Sequence, residues 1–240
     1  MIDCISVENM RQSDAYTIAN LVPSLELMHR AAEGVFRAVH WRGRIGILVG
    51  SGNNGGDGFA LACILKRHKI ECTVFTLSQR LSADSAYYAA KAQEAGVSIQ
   101  PFSWGCLESC DIAVDCLLGT GFRGAVREDY CAAIGEINAS GCYVVSVDIN
   151  SGMNGDTGEA ELAVHSDLTV TIGYVKNGLI TENAGQYMKR LVCADIGIRL
   201  MKKENKICDA TEWEHVKRSC NGIVYFQCPD WLDMNVISVI

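Results

Sequence analysis

Apolar and polar positions follow two different periods along this chain. Residues 7–20 and 24–40 have helical spacing, and Leu25, Met28, Ala31, Ala32 and Val35 form one apolar stripe in the second. Pro23 and Ser24 mark the break and the cap between these helices. Beyond them, short apolar runs alternate with amphipathic stretches. The pattern predicts strands near 44–50, 71–77, 97–100, 110–116, 142–148, 167–173 and 189–194, and helices over 57–69, 82–95 and 126–139. Such alternation predicts an α/β, three-layer Rossmann-like fold: a mainly parallel sheet with helices on both faces, and two helices ahead of the first strand. The pattern fades near residue 200, so residues 1–200 read as one domain and 201–240 as a C-terminal tail of unassigned role. Within the tail, 207–216 has the look of a short helix, and aromatic residues and cysteines follow it.

Composition narrows the picture. A formal net charge of −7 argues against a broad electrostatic footprint for nucleic acid. No apolar run approaches the roughly 20 residues that span a bilayer. The opening Met1-Ile2-Asp3-Cys4 carries no basic region followed by an apolar stretch, so no secretory signal is expected, and the scattered cysteines make a reducing cytoplasm the expected location. Twelve cysteines are scattered, many of them inside apolar segments where a thiol acts as a small hydrophobe. Only Cys106 and Cys110 lie close together, without a neighbouring His, which is not the usual spacing of a zinc site.

The most informative stretch is Gly50-Ser51-Gly52-Asn53-Asn54-Gly55-Gly56-Asp57-Gly58, between an apolar strand and a helical segment. A strand, a glycine-rich turn and a helix let backbone N–H groups approach a phosphate. A turn that only held pyrophosphate would gain nothing from Asp57, because an anion beside phosphate is repelled. A dinucleotide dehydrogenase also needs a carboxylate about 20 residues on, at the end of the second strand, to hold the ribose. Here Ser78, Gln79 and Arg80 follow that strand, and Glu71 lies at its wrong end. Hydride transfer therefore ranks second.

Two further strand ends carry polar chemistry. The fourth predicted strand ends at Asp115 and runs into a turn containing Gly119, Gly121 and Gly124; the fifth ends in Asp148-Ile149-Asn150-Ser151-Gly152. Right-handed crossovers make strands one and four neighbours where the strand order reverses, which is where open sheets bind ligands. Asn54, Asp57, Asp115, Asp148 and Ser151 then face one crevice. A lone Asp after a strand is ordinarily a cap or turn residue. Three carboxylates together repel one another and call for a cation or for raised pKa values.

G-x-x-N-N-G-G-D-G at 50–58, D-x-L-L-G-T-G at 115–121 and V-D-I-x-S-G at 147–152 together resemble the NAD(P)H-hydrate epimerases, the YjeF N-terminal domain family. The run Pro23-Ser24-Leu25-Glu26-Leu27-Met28 is similar to that family as well, as are the stretch 167–173 with Lys176 and Gly178, and Ala194-Asp195-Ile196-Gly197-Ile198. Asn150 departs from the family, which often carries Pro there.

The resemblance implies repair of damaged nicotinamide cofactors. Hydrated NADH and NADPH exist as R and S epimers, which the family interconverts so that a separate NAD(P)H-hydrate dehydratase can act on the S form. Carried onto this chain, it implies substrate contacts from Asn53, Asn54, Gly55, Gly56 and Asp57. Further contacts would come from Gly119, Thr120, Gly121, Phe122, Arg123, Gly124 and Ala125, with Asp148 beside the reacting ring; Asp148 is then the expected catalytic acid–base, with ribose or amide binding without proton transfer as the alternative. It implies a potassium ion on Asn54, Asp115 and Ser151; the residues themselves say only that these oxygens suit a hard cation. A homodimer is the expected assembly, with the apolar faces of the first two helices as candidate interface, and neither nucleic acid nor membrane as partner. The alternative function is a non-catalytic ligand- or protein-binding module on the same fold. A scaffold has no need of Asn54, Asp57, Asp115 and Asp148 together.

Overall fold

The computed structural model describes residues 2–207, 224–225 and 236–238. In chain order the elements are β1 (Ile2–Ile5), α1 (Val7–Asn20), α2 (Ser24–Ala38), β2 (Ile45–Val49), α3 (Asn53–Arg67), β3 (Cys72–Thr76), α4 (Ala83–Glu94), β4 (Ser98–Pro101) and β5 (Ile112–Cys116). Then come α5 (Glu128–Ala139), β6 (Tyr143–Val147), β7 (Leu168–Ile172), β8 (Val175–Lys176), β9 (Arg190–Asp195), β10 (Asn205–Ile207), β11 (Val224–Tyr225) and β12 (Val236–Ser238).

The main sheet runs β4-β3-β2-β5-β6-β7-β9 with every neighbouring pair parallel, and β11 and β12 both add to the far side of β9. The chain works outward from β2 to β4, returns to the other side of β2, and works outward again. The predicted doubly wound fold and its reversal point, between β2 and β5, are both present. Period-two alternation divides the strand residues between two cores. Ile45, Ile47 and Val49 pack with α2 and α3, while Leu48 joins Ala113, Val144 and α5. Both β2 and β5 are buried along their whole length, as strands covered on two faces must be.

Three features differ from expectation. Helix α3 begins at Asn53 rather than 57, because Asn-Asn-Gly-Gly, which reads as loop, forms its first turn. A small sheet, β10-β1-β8, was not predicted; its strands are too short for alternation to show. Of the apolar stripe of α2, Met28, Ala31, Ala32 and Val35 are buried in the core and Leu25 partly so, with Leu27 buried beside them, so the stripe is not free for an interface. Exposed apolar groups on and just after α1 are Tyr16, Ile18 and Leu21. The predicted helix over 207–216 falls outside the described residues, apart from Ile207 at the end of β10.

Helix α1 is held by polar groups. Asn9, Ser13 and Thr17 lie at successive i+4 positions and are buried. Asn9 Nδ2 donates to Lys202 O at 2.6 Å, while Ser13 Oγ and Thr17 Oγ1 accept from the backbone N–H groups of Met201 and Arg199. Glu204 accepts from Ser6 N and bonds Ser6 Oγ at the start of the helix. The chain across residue 200 is thus zipped onto α1.

Close approach at the reversal point demands glycine. A Cβ on Gly50 would lie 2.0 Å from Leu117 O, one on Gly55 2.2 Å from Gly50 O, and one on Gly58 2.7 Å from Val49 Cγ1. Two of these neighbours are backbone and cannot swing away. Gly50→Ala is therefore expected to cost about 3 kcal/mol or more, read from the midpoint of urea unfolding; a loss within the error of that measurement would contradict the close approach.

Candidate active site

The ends of β2, β5 and β6 converge on one buried carboxyl group. Asp115 pairs across the ladder with Ser146, and Ser146 Oγ donates to its Oδ2 at 2.9 Å. Ser151 N donates to the same oxygen at 3.0 Å; Ser151 Oγ and Leu117 N donate to Oδ1. Leu118 N in turn donates to Ser151 Oγ at 2.8 Å. Burial raises the carboxyl pKa of Asp115 above its ordinary value, and the four hydrogen bonds oppose that rise. Cys116 next to it is a thiol made inert: burial, then the charges of Asp115 and Asp57, push it far up.

Asp148 follows β6 in the left-handed region, at φ 73°. A non-glycine residue there is uncommon, and Asp is among those that tolerate it. The turn aims its carboxylate inward: Oδ2 accepts from Thr120 N at 2.9 Å, and Oδ1 accepts from Lys176 Nζ at 2.5 Å. Lys176 is fully buried and also donates to Thr171 Oγ1 at 3.0 Å and Ile172 O at 2.7 Å, which uses all three of its N–H bonds. Sequence reasoning placed Lys176 in the family pattern without giving it a role. A lysine among Tyr174, Val175 and Leu179 was the available signal, since a buried ammonium needs a carboxylate partner.

Asn54 stands beside this pair. The position a Cβ would take on Gly119 is 3.0 Å from Asp148 Oδ2 and 3.2 Å from Asn54 Cβ. The Asn54 side chain is 9 % exposed, yet neither Nδ2 nor Oδ1 has a hydrogen-bond partner. Buried amides are ordinarily satisfied, so an orphaned pair of polar atoms marks a place for a ligand. Asp57, still partly exposed on α3, has its pKa held well above the usual carboxylate range. Burial is the largest cause; the charges of Asp148 and Asp14 add to it, and Lys176 opposes it.

Asn54, Asp57, Asp115, Asp148, Ser151, Gly119 and Thr120 are thus brought together. The rest of the expected contact residues lie around this group. Asn53 turns outward, its Oδ1 accepting from Ser82 Oγ at 2.7 Å. Gly55 and Gly56 are buried against Gly50 and against Met28 and Ser85. Gly121, Arg123, Gly124 and Ala125 are exposed on a loop with Phe122 half-buried, and Arg123 lies within electrostatic reach of Glu8 at the start of α1. Gly52, the N-cap of α3, has no side chain to bond the first N–H groups of the helix, an arrangement suited to an anion.

The departure at Asn150 has its own support. This buried amide donates toward Val164 O, Ser166 Oγ and Tyr187 O within 3.0 Å and accepts from Thr169 Oγ1 at 2.6 Å. Proline could make none of these bonds. A cavity of about 220 Å³ lies elsewhere, at the starting ends of β6, β7 and β9, lined among others by Cys142, Asp167 and Lys189. It is smaller than the roughly 300 Å³ of ordinary ligand pockets and distant from the convergent polar groups.

As for cations, no group of three or more His, Cys, Asp or Glu side chains suited to a metal gathers among the described residues. Asn54, Asp115 and Ser151 offer one carboxylate, one amide oxygen and one hydroxyl, a set whose chemistry fits a hard cation of low charge. The orphaned Asn54 Oδ1 is the observation in its favour.

Residues 24–178 match the family described as YjeF-related protein N-terminus. The chain belongs to this family. It is 34% identical to the NAD(P)H-hydrate epimerase of Limosilactobacillus fermentum over 201 residues, which cover 80% of this chain and 95% of that protein. It is 35% identical to the bifunctional NAD(P)H-hydrate repair enzyme Nnr of Coxiella burnetii over 196 residues, 79% of this chain but 40% of that longer protein. The crystal structure of yeast ynu0 superposes with a TM-score of 0.68 at 18% identity, over 85% of this chain and 98% of that one, so this member of the YjeF family has that fold.

Ionising Asp57 is unfavourable in the folded protein, and the sign follows. Its folded pKa lies above its unfolded value, so the native state holds the proton more tightly. That contribution is present below the unfolded pKa and is lost as pH rises through the folded one. Asp57→Asn is therefore expected to raise the Tm, by more at pH 8 than at pH 5. A Tm gain independent of pH, or a loss, would contradict the raised pKa.

Proposed function

We propose that this chain is an NAD(P)H-hydrate epimerase, an isomerase that interconverts the R and S forms of hydrated NADH and NADPH. The observation that carries the reading is the unpaired, buried amide of Asn54 beside the Asp148–Lys176 pair, at the point where the strand order reverses. A module that only bound proteins would have no cause to keep such atoms unsatisfied. The comparisons support the same reading through relatives named for this activity. A dehydratase acting on the S form is the functional partner, in keeping with the bifunctional repair enzymes among those relatives.

The hydrated carbon bears both the ring nitrogen and a hydroxyl. Breaking the C–O bond needs a proton on the departing oxygen, while the nitrogen lone pair forms a C=N bond and leaves a cationic ring. Water returns on the other face and gives its proton back. Asp57, whose carboxyl holds its proton more tightly than an ordinary carboxylate because of burial and the nearby charge of Asp148, is the group suited to give it. Asp148 faces two donors and acts as an acceptor, well placed to balance the cationic ring. The open start of α3 and the loop 119–125 serve the phosphates and the remainder of the dinucleotide. A potassium ion on Asn54, Asp115 and Ser151 would supply positive charge and tie the three turns together. The site lies in the cytoplasm on this reading, where the cofactor is repaired.

The test is to offer the full chain R-epimer NADH hydrate together with an S-specific dehydratase and to follow the return of reduced-cofactor absorbance. Acceleration over spontaneous epimerisation is expected; its absence would sink the reading. Asp57→Asn should lower kcat by about 10²-fold or more with a smaller change in KM. Asp148→Asn should cost both activity and stability, because it strands the buried Lys176 ammonium at about 3–5 kcal/mol. Exchanging potassium for lithium should lower both the Tm and the affinity for hydrate, and Asn54→Ala should remove that dependence. Identical behaviour in the two salts would argue against the cation.

A further inference from the structure

Helix α1 forms a wall of the crevice that sequence reasoning left out. Three of its residues, Val7, Met10 and Asp14, follow one another at i, i+3 and i+7 and so share one face. The first two fix where that face points. Val7 Cγ2 lies 2.7 Å from the Cβ position of Gly155, a position that is also 3.9 Å from Thr120 Cγ2. Met10 Cε lies 3.0 Å from the Cβ position of Gly173, next to Ile172, whose carbonyl accepts from Lys176. Asp14 comes one turn further on, half-buried. Its carboxyl feels the charges of Asp148 and Lys176 and itself bears on Asp57. The start of the same helix reaches the loop after β5, where Glu8 feels the charge of Arg123.

We propose that Asp14 is a further residue of the site, a carboxyl on α1 that contacts the hydroxyl of the bound hydrate alongside Asp57. This rests on the epimerase reading. An independent sign of a ligand at this place is the buried Asn54 amide, unpaired on both atoms and adjacent to Asp148 Oδ2. Among the surrounding charges, Asp57 lies on α3, Asp148 after β6, Lys176 on β8 and Asp84 on α4, with the Cys116 thiol at the end of β5. Among the described residues one ammonium, Lys176, bears on these carboxyls, and it is already paired with Asp148. Burial and the charge of Asp148 raise the pKa of Asp14, as burial and the charges of Asp148 and Asp14 raise that of Asp57. A proton on either of these two carboxyls leaves a neutral acid beside the departing hydroxyl. The pair then serves both directions of the epimerisation, giving the proton as water departs and recovering it as water returns.

The experiment measures kcat/KM against pH for the full chain in the coupled assay, with thermal unfolding of each variant. Asp14→Asn is expected to lower kcat/KM at pH 8 by about tenfold or more and to move the alkaline limb to lower pH, because Asp57 loses a neighbouring negative charge. Its Tm should hold or rise. Asp14→Glu, which keeps the charge, should keep the wild-type limb, and Gln12→Ala on the exposed side of α1 should match wild type. A wild-type profile for Asp14→Asn overturns the proposal, as does a loss equal at every pH. An Asp14→Glu limb displaced as far as that of Asp14→Asn overturns it as well. Wild-type protein that fails to accelerate epimerisation overturns the parent reading instead, so the two failures are told apart.

Discussion

The arrangement of the strand ends depends on the carboxyl group of Asp115. It has no solvent contact, and a carboxyl so placed is tolerable only when its oxygens are filled with donors. The donors come from three places: the neighbouring strand through Ser146, the turn after β5 through Leu117, and the turn after β6 through Ser151. Satisfying one buried group therefore fixes two loops relative to each other. The loop after β6 then presents Asp148 in a left-handed conformation, and the loop after β5 presents Thr120 N to receive it.

Charge balance is the second theme. Lys176 sits without solvent among Thr171, Ile172 O and Asp148, so its partner carboxylate is committed. Burial, and then the charge of Asp148, give both Asp57 and Asp14 added affinity for a proton, and Lys176, the cation that opposes this, is already paired with Asp148. The turn after β3, where a dehydrogenase keeps its ribose carboxylate, ends in Ser78-Gln79-Arg80, with the Arg80 N–H donating to Ser78 Oγ. The glycines serve mainly to let β2, the turn and α3 approach β5 closely.

The chain spans 40% of the length of the bifunctional repair enzyme of Coxiella burnetii but 95% of the Limosilactobacillus fermentum epimerase, so it matches part of one relative and nearly all of the other.

The sequence by itself determined the sheet and most of the site. Buried parallel strands are apolar from end to end, so β2 and β5 stood out, and handedness of the crossovers was enough to make them neighbours. Asn54, Asp57, Asp115, Asp148 and Ser151 were legible because each is a polar residue in a glycine-rich turn at a strand end. Only the tertiary structure decided what each one touches. The first turn of α3 was invisible because Asn-Asn-Gly-Gly carries no helical propensity and is held by packing on Gly50 and Met28. Lys176 and Asp14 lie on a short strand and a polar helix that nothing local ties to the crevice. Their part follows from where β8 and α1 land, and that is set by contacts more than a hundred residues apart in the chain, such as Ser13 with Met201 and Ser6 with Glu204.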